Sequence, residues 1–487
     1  MSAPGPGSRT ADVVVLGSGP GGMAAVAAAA AEGVEVLAVE ALERIGGNSV
    51  WSTGYLAFVN SAMQAEQGIT DDEDVFVRDA AHMVELARDD FGIEWDEDLV
   101  RLFARESAET YRILTERGVR FSRFIPRPAQ HSIDRMAAVE DSWMFQRAFQ
   151  PDFELPNVTT LYRTTAKRLL TDPAGRVTGV VVERAGADGT VETLEIAARR
   201  GVVLATGGYQ SNHLLRRRYM PEHLATGPYL GVDTCRGDGH LMGQAVGGDL
   251  VNMTFVPPLV IVSSSLVEDA IAVNEAGERF HDEAGPYEDR VAALLAQPGR
   301  RGWYVFDSVV AEEKKALIAQ MPREAVSAGS LAELAALIGV PAPALERTVE
   351  EWNAFLAGDA TTDPAFSRVV LPPGRRTAGT APYTAVPMVV GVNFCAGGFR
   401  VTPSMQVIDV FGAPVPGLYA AGDCVGGLNP VSDLGGIHIS GGFTLGRVAG
   451  RAAARELADD GPYPTVQGAH LPSMVDTKLA LVHLPGQ

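Results

Sequence analysis

Cysteine is scarce in this chain. Three residues in 487, at 235, 395 and 424, form no C-x-x-C pair and show no metal-ligand spacing. That pattern excludes a disulfide framework, a zinc or iron–sulfur centre and a C-x-x-C-H haem site, and fits free thiols in a reducing cytoplasm. Long apolar runs are missing too. No segment approaches the ~18 consecutive apolar residues of a membrane span. The opening MSAPGPGSRT has neither a charged nor an apolar stretch, so no export signal is read, and residues 1–10 are expected to be a disordered tail. Positive charge is also in short supply: 40 Lys and Arg stand against 60 Asp and Glu, a net charge of −20. Nucleic acid and anionic membrane surfaces are therefore disfavoured as partners. There is no internal repeat, and the one biased segment is an alanine-rich run early in the chain.

That run belongs to the stretch around which the sequence is organised, DVVVLGSGPGGMAAVAAAAAEGVEVLAVE, from Asp12 to Glu40. An apolar strand from Asp12 to Leu16 leads into Gly17-Ser18-Gly19-Pro20-Gly21-Gly22, a G-x-G-x-x-G turn. A helix follows and stops at Gly33, and a second strand, Val34 to Val39, ends in Glu40. Gly17 permits the tight turn, Gly19 lets backbone approach a diphosphate, and Gly22 lets helix and strand pack closely, with Pro20 opening the helix. The diphosphate meets free N–H groups and the positive end of the helix dipole. Glu40 is placed to accept hydrogen bonds from a ribose diol. The spacing predicts an α/β fold with a parallel sheet that binds a dinucleotide, NAD or FAD.

Further along, acidic residues 71 to 120 show helical periodicity, closed by Gly118. The segment from Phe121 to Pro156 reads as irregular, and its Phe121, Phe124, His131, Trp143, Phe145 and Phe149 form either a covering layer or one wall of an apolar pocket. Residues 158 to 205 read as strands interrupted by a helical turn ending at Leu170, with a hairpin at Asp188-Gly189.

After Glu40 the chain continues E-x(5)-G-G-N, with Gly46-Gly47-Asn48-Ser49 and then Ser52-Thr53-Gly54. Together with the dinucleotide fold, this resembles the flavoprotein family of soluble fumarate reductases and 3-ketosteroid dehydrogenases. The resemblance spans roughly residues 10 to 458. It implies FAD as cofactor, bound non-covalently because Asn48-Ser49 stand where related membrane-complex flavoproteins carry a flavin-bearing histidine. It also implies a discontinuous FAD domain, 11–256 and 388–470, with an inserted α+β cap at 257–387. Gly207, in the strand that returns at Gly201 to Gly208, and Asp238, in T-x-x-G-D-G, resemble cofactor-side positions. So do Asp423, after GLYAAG, and the Gly435-Gly436 turn that opens a final helix. With Gly17, Gly19, Pro20, Gly22, Glu40, Gly47, Asn48, Ser49 and Gly54 these make up the expected FAD site.

For the chemistry, three positions depart from the fumarate reductase pattern. Counted from Arg279-Phe280-x-x-Glu283, the proton-donor arginine is Tyr287. The histidine of an H-T-M-G-G turn is replaced in Phe394-Cys395-Ala396-Gly397-Gly398, and the arginine before Leu434-Gly435-Gly436 is Asp433. A dicarboxylate would lose its anchors and meet an added negative charge, which disfavours it. Tyr287 resembles the proton acceptor of the ketosteroid dehydrogenases, with Arg290 and His281 as nearby help for a group of ordinary pKa about 10. Gly436 N–H resembles their carbonyl-polarising group, although their neighbouring tyrosine is Ser432 here. His438 and Tyr383 complete the candidate catalytic set. The expected activity is therefore an FAD-dependent desaturation α,β to the carbonyl of a cyclic, largely apolar ketone. The alternatives are an enoate or enone reductase of fumarate-reductase type and a tricarballylate-like organic-acid dehydrogenase. Either direction needs an external electron partner: oxygen, quinone or another redox protein.

Overall fold

The computed structural model describes residues 9–456, apart from 92, 129, 187, 256–258, 261–265, 267, 286, 320–322 and 430–433, together with Tyr463. The expected tail at 1–8 lies outside the described residues, while Arg9 and Thr10 already belong to the first strand. That strand, β1 (Arg9–Leu16), feeds α1 (Pro20–Ala31) and β2 (Val36–Val39). Val13 to Leu16 and all of β2 are buried, the mark of parallel strands covered on both faces. Outward from β2 lies β3 (Val158–Leu161), parallel to it. On the other side of β1 come β4 (Val191–Leu204) and β5 (Pro414–Ala420), also parallel. Registers pair Leu16 with Val39 and with Leu204, and Leu204 with Ala420. The carboxyl ends of four strands therefore finish level, which is where an open α/β sheet binds ligands.

Strand β4 is where the eight-stranded sheet branches. Its first half pairs antiparallel with Val177–Ala185, which pairs in turn with Thr164–Thr171. The helical turn expected before Leu170 is thus a strand. A register shift between Ala166 and Arg168 breaks its inside–outside alternation, leaving Lys167 and Arg168 both exposed, and this removes the period-2 signal. The stretch expected to be irregular also contains strands Phe121–Phe124 and Met136–Val139 and a helix, Met144–Phe149. Its aromatic residues mostly serve the core: Phe145 and Phe149 pack on Phe443, and Phe121 on Phe58 and Tyr111. They form a covering layer.

The last helix, α2 (Ile437–Arg455), lies against α1 with their backbones in contact. A Cβ at Gly446 would stand 2.2 Å from Gly21 O, and one at Gly450 2.2 Å from Ala25 O. With Gly442 facing Pro20, glycines four apart make one bare stripe that accepts the alanine-rich helix.

Between β4 and β5 the chain leaves and returns side by side, Leu259–Val260 pairing with Val390–Gly391. The excursion builds a four-stranded antiparallel sheet in the order 271–274, 302–306, 383–387, 326–328. Helices Leu331–Ile338 and Ala342–Ala357 cover one face, split by left-handed Gly339 and then Pro341. Two stretches distant in sequence, 279–283 and 363–368, meet here. Glu283 of the R-F-x-x-E turn is fully buried between Arg279 (2.6 Å) and Arg368 (2.9 Å), and Arg279 also binds Asp363 (2.9 Å). Burial alone would raise the Glu283 carboxyl, but Arg368 and Arg279 outweigh it and hold it at about 2.

Candidate active site

A single long cleft opens at the level carboxyl ends of the sheet. Its first wall is the glycine turn. Gly17 has φ +95°, and a Cβ there would meet Ala205 O at 2.3 Å; a Cβ at Gly22 would lie 1.9 Å from Gly17 O. A Cβ at Gly19 would meet nothing within 4 Å, because Gly19 faces the open cleft at the start of α1. Each glycine does what its place in the fingerprint requires. Glu40, at the end of β2, is buried and accepts from Ser18 N (3.0 Å), the Ser18 hydroxyl and Leu42 N (2.8 Å). Burial raises its carboxyl, and these donors pull it back.

The next wall is Gly47-Asn48-Ser49. Asn48 Nδ2 donates to Tyr229 OH (2.9 Å) and its Oδ1 accepts from Val232 N (2.8 Å), so its amide ties the turn to the segment before Cys235. Ser49 donates to Gly46 O at 2.7 Å. Gly54 stands off the cleft: a Cβ there would press on Val139 at 2.2 Å, and it is its neighbours Thr53 and Tyr55 that line the space. Gly207, Asp238 and Pro20 are all on the wall. Gly22 is behind it, between helix and strand.

Asp423, after β5, also faces the cleft, and burial raises its carboxyl to about 6 against a hydrogen bond from Gln210. Opposite, Gly435 and Gly436 open α2. Gly436 has φ +83°, and a Cβ there would meet Ala57 N at 2.6 Å. His438, two residues on, sets its ring against Phe394 with centroids 4.0 Å apart and planes inclined at 45°, accepts from Asn429 Nδ2 (3.1 Å), and is held neutral by burial, which lowers it to about 4. Trp51, Tyr55, Leu230 and Met136 add apolar surface, and Arg127 adds one cation. Sequence reasoning missed these five together with Gln130; their approach depends on tertiary folding, and no local pattern marks it.

One expected participant sits elsewhere, and another is not described at its side chain. Tyr383 starts the cap strand Tyr383–Pro387 and packs in the helical layer of the cap, its hydroxyl 3.4 Å from Gly379 O, not on the cleft wall. Tyr287 is the first residue of the cap helix Tyr287–Ala296, and its side chain lies outside the described residues, as do Ser432 and Asp433. His281 is buried on Phe280, with Nδ1 2.8 Å from Asp282 O.

The wall suits FAD. Bare backbone at Gly19 adjoins the α1 N-terminus, and three carboxylates line the cleft, Glu40, Asp238 and Asp423. Asn393 also lines the cleft, its buried Oδ1 without a partner among the described residues. Fold and site together define a dinucleotide-binding flavoprotein oxidoreductase. The chain belongs to the FAD binding domain family, whose pattern matches residues 12–439, and FAD is its cofactor. It is 29% identical over 471 residues to a urocanate reductase of Eggerthella lenta, covering 91% of this chain and 74% of that one. Its fold superposes on the open conformation of a flavocytochrome c3 fumarate reductase with a TM-score of 0.71, at 26% identity, covering 92% of this chain and 78% of the other. A 3-ketosteroid-Δ4-(5α)-dehydrogenase from Rhodococcus jostii RHA1, solved with 4-androstene-3,17-dione, matches with a TM-score of 0.65 at 26% identity, covering 92% and 97%. No helix among the described residues is long and apolar enough to cross a membrane.

Proposed function

We propose that this enzyme interconverts a C–C and a C=C bond beside a carbonyl, and that its substrate is a flat, largely apolar, cyclic ketone. The observation that carries the reading is the Phe394–His438 ring contact, an uncharged aromatic surface where a dicarboxylate-binding site needs a cation. Bound FAD supplies a hydride acceptor at its N5. Gly436 N–H, at the positive end of α2, holds the carbonyl oxygen as charge develops on it. Tyr287 takes the α-proton. The cap we assign to 257–387, inserted between 11–256 and 388–470, closes over the substrate. FAD is held non-covalently by the residues set out above, Gly54 acting through packing.

Anaerobic addition of a panel of ketones and carboxylic acids to the oxidised enzyme tests this. A cyclic ketone should bleach the flavin and succinate should not. Bleaching by an organic acid alone would sink the reading. Tyr287→Phe should keep FAD while slowing bleaching about 10²–10⁴-fold. The reverse reaction, reduction of an enoate, has one observation in its favour: Arg127 on the cleft wall suits a single carboxylate. Rapid reoxidation of dithionite-reduced enzyme by an enoate, lost in Arg127→Leu, would favour it. The electron partner, whether oxygen, quinone or another redox protein, follows from the same reoxidation assay.

FAD affinity should depend on pH through Asp423. A ribitol hydroxyl donating to this carboxyl favours its charged form, so binding should tighten as pH rises through about 6 and weaken below it. In the apoprotein the sign is opposite: a carboxyl raised from 3.8 loses its contribution to stability as pH climbs toward 6. Fluorescence titration of apoprotein with FAD at pH 5 and 8, with Asp423→Asn losing the difference, checks both the role and the sign.

A further inference from the structure

The turn at Gly435-Gly436 is gripped by two side chains, Gln130 on the cleft wall and His131 behind it. Gln130 Oε1 accepts from Gly435 N at 3.2 Å, and His131 Nε2 lies 2.9 Å from Gly435 O. Since a carbonyl only accepts, His131 carries its proton on Nε2 and donates it. The other ring nitrogen, Nδ1, then presents a lone pair, and Arg135 NH1 lies 3.5 Å from it. Both contacts demand the same neutral tautomer. Burial, supported by the Arg135 charge, keeps the ring neutral by lowering it to about 4, although the bond to Gly435 opposes the shift. Arg135 is itself fully buried and fixed by Asp71 at 2.7 and 2.8 Å and by Asp79. A chain of charge-assisted contacts thus runs from Asp71 and Asp79 through Arg135 and His131 into one backbone carbonyl.

That carbonyl belongs to the same peptide unit as Gly436 N–H. A proton donated to Gly435 O draws electron density through the peptide and makes Gly436 N–H a stronger donor. The far side of the turn is fixed as well, because Gly436 O accepts from Ala57 N (3.1 Å) and the Ser440 hydroxyl (2.9 Å). We propose that His131 is a positioning residue for the reaction: through the Gly435–Gly436 peptide it aims and polarises the N–H that binds the substrate carbonyl. The inference rests on the assignment of that N–H in the proposed function. It adds a residue that neither touches substrate nor lines the cleft.

His131→Phe keeps the ring volume and removes the donor. His131→Gln keeps a donor at the reach of Nε2. With a bleaching cyclic ketone, the phenylalanine variant should lower the limiting rate of anaerobic flavin reduction about tenfold, a fraction of the ~10²–10³-fold lost when an oxyanion donor itself is removed. The ketone's dissociation constant should change little, and the glutamine variant should recover most of the rate. Should the phenylalanine variant fail to hold FAD, His131→Asn, too short to reach Gly435 O, carries the same expectation. Equal rates in wild type and these variants, or no recovery with glutamine, would overturn the proposal. A second measurement separates it from the ketone reading. Holoenzyme with carbonyl-¹³C, amide-¹⁵N glycine reports the few Gly–Gly peptides of the sequence, Gly436 among them. Its amide proton should move upfield in His131→Phe and return in His131→Gln. If no ketone bleaches the flavin yet this shift is seen, the substrate assignment fails and the polarised peptide stands; an unmoved Gly436 resonance overturns the inference whatever the substrate.

Discussion

Glu283→Gln should cost about 3–5 kcal/mol of stability, the range for breaking a buried ion pair from one side. The reason is the geometry of the cap. Arg279 and Arg368 both aim at Glu283, both lie over the Trp352 ring at 4.6 Å, and both are largely or wholly inaccessible to water. Glutamine fills the volume but leaves one guanidinium with no anion and the other with Asp363 alone. Glu283 also accepts from Ala272 N (2.9 Å) in the first cap strand, so the loss reaches the sheet as well as the turn. Because the folded carboxyl sits at about 2 against an ordinary 4.5, its contribution is fully present above pH 4.5 and disappears as pH falls through about 2. Denaturant unfolding at pH 7 and pH 3 measures both effects. A Glu283→Gln variant as stable as wild type at pH 7 would refute the keystone role.

Gly446→Leu should yield a protein that purifies without flavin. At this helix crossing the missing side chain is replaced by the backbone of α1, with Gly21 O, C and Cα all within 2.8 Å of where a Cβ would go. Overpacking a core commonly costs about 1–3 kcal/mol, and here the obstacle is main chain, which has no rotamer to yield. The helix must move, and its N-terminal residues Gly435, Gly436 and Gly442 share the cleft with Gly19 and Gly21. Gly441→Ala is the control, since its Cβ would meet only the tip of Leu428. Bound-flavin absorbance after gel filtration, together with the melting temperature, separates the two variants. Full flavin occupancy in Gly446→Leu would contradict the crossing.

The cofactor half of the cleft was legible because its requirements are local. Gly17 and Gly22 each answer a backbone constraint within one turn, Gly19 lies bare on the cleft wall beside them, and Glu40 follows at the end of the adjoining strand. The C-terminal return was legible by resemblance, and its Asp423, Gly435 and Gly436 line the same cleft. The substrate half was not. Arg127, Gln130 and Met136 reach the cleft from a strand and loop whose pairing with residues 55–57 no periodicity announces. His131 meets Gly435 across 304 residues of sequence. Tyr383 misled because a tyrosine near a domain junction looks functional in one dimension, while its strand turns it, half-buried, against the cap's own helical layer. The glycine stripe at 442, 446 and 450 was available as a spacing of four and went unread, since small residues on a helix announce a close neighbour without naming it.

The level strand ends have a consequence for how the protein comes into being on the ribosome. The cleft needs Gly19 at one end of the chain and Gly435 near the other, and β5 must slot beside β4 after the whole cap has been made. At about 5–20 residues per second, the intervening ~400 residues take about 20–80 s to synthesise. Until β5 is made the end of β4 presents an unpaired edge, and until α2 is made α1 keeps an uncovered alanine face and the cleft lacks one wall.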